Sequence, residues 1–144
     1  MGLLGSFAEF FGFSDTASHQ KALIRQEINI MDAINAHVQW KIRLQDFLDG
    51  KTQEALDPMV IGRDDRCVLG QWIHGPALRH FHENPTFQKL RADHAQFHLF
   101  AANVVKLTQD NDRSAARALL DGDYQRISHK VVHALTDLKQ AVGE

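Results

Sequence analysis

One cysteine, Cys67, is all the chain carries, so no internal disulfide can stand in for a hydrophobic core. A surplus of one charge is also missing. The 16 basic and 18 acidic residues are interspersed, leaving neither the footprint that nucleic acid requires nor a polybasic patch for anionic lipid. No apolar run approaches a membrane span, and no basic region precedes the first apolar residues as in a secretory leader. Internal repeats and low-complexity tracts are absent. These absences lead to the expectation of a cytoplasmic protein that has neither a nucleic-acid partner nor a membrane span, its single free thiol suited to a reducing compartment.

What is present suffices for one compact domain: 144 residues, 44% of them hydrophobic, can bury a real core. The most informative stretch is Arg91-Ala92-Asp93-His94-Ala95-Gln96-Phe97-His98. Phe87, Leu90, His94, Phe97, His98, Ala101 and Val105 recur at helical three-and-four spacing, so both histidines fall inside an apolar stripe. Two imidazoles four residues apart stack on one helix face, where they either find backbone carbonyls or share a metal ion. The pair is not a zinc-protease signature. Ala95 stands where the H-E-x-x-H motif places its glutamate base.

A long helix is predicted from N-cap oxygens at Ser14-Asp15-Thr16 to about Asp49, stopped by Gly50. At 100° per residue, Leu23, Ile30, Ile34, Leu44 and Leu48 share the side of His37, which makes a third core-facing histidine. Trp40 is placed to pack beside the His37 ring as a core aromatic. Residues 50–63 are expected to be a linker, with a short helical turn at Gln53 to Leu56. Asp64 or Asp65 is then expected to cap a helix opening at Arg66-Cys67 and closed by Gly75-Pro76. Cys67 thus lies at a helix N-terminus, where backbone N–H groups favour the thiolate that binds metal.

His74, His80 and His82 are expected to be surface or hydrogen-bonding residues, in a connection holding another short helix near Pro76. Asp112 or Ser114 is expected to cap a last helix striped by Leu120, Tyr124, Ile127, Val131, Leu135, Leu138 and Val142. His129 and His133 lie opposite that stripe, on a solvated face or at a weak, dimer-bridging metal site. The apolar residues Leu3, Leu4, Phe7, Phe10 and Phe11 make positions 1–15 a sticky cap. It folds onto its own bundle or a dimer mate, or docks on an output protein; the lack of any basic residue before Lys21 weakens a membrane role.

Three inward imidazoles and one thiolate compose a His3Cys set that suits zinc and leaves no open position for a substrate. A di-iron bundle would need Glu-x-x-His pairs, and Glu27 is too far from His37 to make one. The expectation is therefore a non-enzymatic, all-α protein: an antiparallel four-helix bundle with short extra helices over residues 16–144.

The blocks His37-Val38-Gln39-Trp40-Lys41-Ile42-Arg43-Leu44, Cys67-Val68-Leu69-Gly70-Gln71-Trp72-Ile73-His74-Gly75 and His94-Ala95-Gln96-Phe97-His98 resemble the chemoreceptor zinc-binding (CZB) domain family of bacterial chemoreceptors and some diguanylate cyclases. The likeness spans about residues 18–142. It implies zinc on His37, Cys67, His94 and His98, with Trp40, Leu69, Gly70 and Trp72 at positions that orient the ligands. A helical bundle, frequently homodimeric, that regulates a linked signalling output is implied as well. Family members commonly carry a receptor coiled coil or a cyclase in the same chain, and none follows here. The expectation is a stand-alone sensor acting on a chemoreceptor or cyclase in trans, or a domain excerpt. Its input is either zinc itself or an oxidant such as hypochlorous acid acting at Cys67. A purely structural zinc in a dimerisation domain is the alternative.

Overall fold

The computed structural model describes residues 30–141, and the apolar cap, Leu23 and Val142 lie outside that range. Among the described residues every regular element is helical: α1 Ile30–Leu48, α2 Pro58–Ile61, α3 Val68–His74, α4 Pro76–Phe81, α5 Pro85–Gln109, α6 Arg113–Asp121 and α7 Asp123–Ala141. The all-α expectation therefore stands. The long helices α1, α5 and α7 pack on one another, α5 and α7 most extensively, while α6 bridges all three and α2 lies on α5.

Helix α1 ends where expected, with Gly50 taking the left-handed φ of 70° that glycine adopts without a Cβ penalty. Its inward face buries His37, Leu44 and Leu48, while Met31, Val38 and Ile42 remain about half exposed on another side. The helical turn expected at Gln53 to Leu56 lies instead at Pro58–Ile61. Asp57 caps it by accepting from the Met59 N–H at 2.9 Å, and Pro58 fills the first position, where its missing N–H costs nothing. Asn84 caps α5 in the same way through the Phe87 N–H.

The last helix is two helices. Asp112 caps α6 through the Ala115 N–H at 3.2 Å, but the chain breaks at Gly122 before α7 resumes. Gly122 has φ −106° and ψ −101°, far from helical values, and a Cβ there would lie 2.9 Å from the Ala118 carbonyl. The stripe nonetheless continues across the break, with Leu120, Tyr124, Ile127, Val131, Leu135 and Leu138 all buried. His129 and His133 are exposed on the opposite face, as the periodicity requires.

Arg117 of α6 pairs with Asp49 at the end of α1, and Lys41 donates to Gln125 in the first turn of α7. The surface ion pair and the part-buried hydrogen bond to a neutral amide set register more than stability. Burial of the stripe supplies the stability. Leu135→Ala should lower unfolding free energy by about 2–5 kcal/mol, whereas His133→Ala should change it by less than about 0.5 kcal/mol; urea midpoints of the two variants check both.

Candidate metal centre

His94 and His98 stand one turn apart on α5, the longest described helix, and are 0% and 4% exposed. His37 reaches them from α1 and is 3% exposed, its ring centroid 5.2 Å from that of His94 and 5.0 Å from that of Phe97. Cys67 closes the group from the start of α3. Its sulfur lies 3.4 Å from His94 Nε2 and 3.6 Å from His98 Nε2, and the two Nε2 atoms are 3.1 Å apart. One donor atom from each of the four residues falls within 4.8 Å of every other.

The two sulfur–nitrogen spacings match those around a tetrahedral ion. Zinc with nitrogen at ~2.0–2.1 Å and sulfur at ~2.3 Å in a tetrahedron spaces its ligands by roughly 3.3–3.6 Å. The tautomers agree. His37 Nδ1–H donates to the Ala33 carbonyl at 2.7 Å and His98 Nδ1–H to the Ile61 carbonyl at 2.8 Å, so each ring turns an Nε2 lone pair inward. His37 Nε2 is buried with no hydrogen-bond partner, a deficit of about 1–3 kcal/mol that a cation at the centre removes. Trp40 is partly buried against the core. Arg43 stacks over its ring, 3.9 Å from the centroid, and the indole lines a cleft beside Cys67.

Cys67 itself caps α3, in place of Asp64 or Asp65, and the helix begins at Val68 rather than Arg66. Its sulfur accepts from the Gly70 N–H at 3.2 Å, so a single atom serves as helix cap and as metal donor. Asp64 instead accepts from His74 Nε2 at 3.0 Å, which ties the approach loop to the far end of α3. Gly70 makes this fit possible. A Cβ there would sit 1.8 Å from the Asp64 carbonyl oxygen and 3.1 Å from Asp65 Cα. Leu69 and Trp72 are buried on the other side of α3, with the Trp72 ring 6.2 Å from that of Phe81.

Burial holds all three imidazoles below their ordinary pKa. His94 is pushed down to about 2 by desolvation and then by its histidine neighbours, and His37 and His98 are lowered mainly by desolvation. Neutral imidazole is the form that can donate a lone pair to a metal. Burial also raises the Cys67 thiol, outweighing the backbone N–H groups of Gly70 and Leu69 that pull the other way. The expected thiolate is therefore not a gift of the helix terminus. A bound cation supplies the charge that favours it.

Helices clamped by a closed set of nitrogen and sulfur donors define a zinc-binding helical domain. Residues 37–105 match the family model of the chemoreceptor zinc-binding domain, so the chain carries a CZB domain over that stretch and zinc is its metal. No curated protein and no solved structure matches the chain. The match includes all four clustered residues. The Ala33 and Ile61 carbonyls are invisible to sequence reasoning, because a backbone acceptor has no residue signature.

Gly70→Ala would force backbone against backbone and push Cys67 off the centre. It should weaken zinc binding at least about tenfold in chelator competition and cost more than about 2 kcal/mol of stability. Metal-free protein should also be acid-sensitive. The three folded-state pKa values lie below the unfolded value of about 6.5, so unfolded chains bind more protons below it. Stability is full above that pH and falls as pH drops toward the lowered values, by about 1.4 kcal/mol per unit for each imidazole that stays neutral. Urea titrations of chelated protein at pH 7.5 and 5.5, conditions on the order of those bracketing the free-histidine pKa, check the sign.

Proposed function

We propose that this chain is a regulatory zinc module in which His37, Cys67, His94 and His98 hold one ion. Loss of zinc, or oxidation of Cys67 by an oxidant such as hypochlorous acid, is passed to a chemotaxis or cyclic-di-GMP signalling partner in trans. The observation that carries this reading is the convergence of four donor atoms within 4.8 Å from α1, the start of α3 and α5. Because the donors come from separate elements, ligation free energy becomes helix-packing free energy, and occupancy can be read as shape. Trp40, Leu69, Gly70 and Trp72 act as positioning residues: Gly70 through the close approach of residues 64–65, Leu69 and Trp72 by seating α3, and Trp40 by walling the cleft.

The site is regulatory rather than catalytic in this reading, since four protein donors leave zinc no open position for a substrate or an activated water. The helices complete an antiparallel four-helix bundle that works in the cytoplasm as a homodimer. Met31, Val38 and Ile42 support the dimer, because they recur at seven- and four-residue steps and leave an apolar stripe exposed on α1. Residues 1–15 act as a separate docking cap.

X-ray absorption at the zinc edge should report one sulfur and three nitrogens. Cys67→Ser should weaken zinc binding and abolish any response to hypochlorous acid, while His37→Ala should lose affinity without creating a new oxidant target. Unchanged zinc affinity in Cys67→Ser would remove the thiolate from the ligand set. The competing reading is a structural zinc in a dimerisation domain. A structural site holds its metal through mild chelation and unfolds once stripped, whereas the sensor exchanges zinc and stays folded, which circular dichroism across a chelator titration separates.

A further inference from the structure

We propose that the cleft beside Cys67 is an anion-selective portal to the metal centre, with Arg66 as its selecting charge. The inference rests on the reading of Cys67 as a zinc-held thiolate and states which small molecules can reach it. Of the four clustered residues, the three histidines are buried and Cys67 alone is partly exposed. The surface that exposes it is a cleft of ≈ 460 Å³, lined among others by Trp40, Arg43, Arg63, Arg66, Cys67 and His98. That volume falls within the range of small-molecule sites.

The charges on the cleft wall are unequally committed. Arg43 pairs with Glu54 and stacks on Trp40, and Arg63 pairs bidentately with Asp65. Asp57, the other acid on the wall, has turned a carboxylate oxygen to the Met59 N–H as a helix cap. Asp64, close to the centre, is bonded to His74 and lines a different hollow. Arg66 makes no ion pair among the described residues, is exposed, and immediately precedes Cys67. Three arginines thus line a cleft whose acids are Glu54 and Asp57, and Arg66, the residue before Cys67, is the arginine that no carboxylate pairs among the described residues. A low-dielectric cleft focuses such a charge, raising the local concentration of an incoming anion and depleting cations. The molecules admitted are small anions bearing a carboxylate, sulfonate, phosphate or hypohalite group; small cations are turned away.

Because Cys67 is the sole cysteine, thiol-directed reagents report on this position alone. The zinc-loaded full chain is treated with anionic 2-sulfonatoethyl methanethiosulfonate or with its cationic trimethylammonium counterpart. In each case the Cys67 thiolate attacks the sulfenyl sulfur, methanesulfinate leaves with the bonding pair, and a mixed disulfide forms. Rates are normalised to the same reagents on free cysteine. The anionic reagent should then be favoured about tenfold at low salt, with the preference shrinking as salt screens the wall. Arg66→Lys should retain the preference and Arg66→Glu should reverse it. Equal normalised rates, or a preference that survives Arg66→Glu in protein of unchanged circular dichroism, would overturn the portal. A chelator arm tests the underlying reading separately: if stripping zinc changes neither rate, the thiol is not held by metal, whatever the charge preference.

Discussion

The fold depends on keeping three imidazoles neutral and dry while their lone pairs point at one place. Burying a polar ring costs free energy unless both nitrogens are satisfied, and the main-chain carbonyls of Ala33 and Ile61 satisfy only one nitrogen each on His37 and His98. The remaining donors face inward, toward one another and Cys67. Such a cluster would be a defect in a purely apolar core. With a cation at its centre it becomes a cross-link among α1, α3 and α5.

The rest of the molecule can be understood as support for that cross-link. Helix α7 carries no member of the cluster, yet its buried face packs broadly on α5 and holds Tyr124 against Phe97, whose ring in turn abuts His37 and His98. Helix α2 is only four residues long, but its last carbonyl fixes the His98 ring. The loop before α3 is held down by the Asp64–His74 contact and by the absence of a side chain at Gly70. Small elements thus set the angles of the ligands, and long ones supply the burial.

Most of this was legible in the sequence where periodicity speaks. The spacing of Leu120, Tyr124, Ile127, Val131, Leu135 and Leu138 identified a buried face, and the four-residue step from His94 to His98 put both rings on the inward side of α5. Less was legible where backbone geometry decides. The break at Gly122 was hidden because the apolar stripe runs straight through it. Cys67 was placed at a helix start, but the capping role went to the aspartates nearby, since a sulfur is an unusual cap. The stacking of Arg43 on Trp40 has no signature in the apolar periodicity of α1. The 460 Å³ cleft had no sequence signature at all, being assembled from α1, the linker and the approach to α3.

The choice of carbonyls, not carboxylates, behind His37 and His98 fixes the electrical balance of the centre. A dication with one thiolate and three neutral rings retains one positive charge, and the hydrogen bonds behind those two rings bring dipoles but no counter-anion. Protonating the sulfur while the ion stays would double that charge in a dry interior, which is prohibitive. With zinc held by these four residues, loss of the ion and protonation of the Cys67 sulfur would therefore go together, leaving little room for a halfway form.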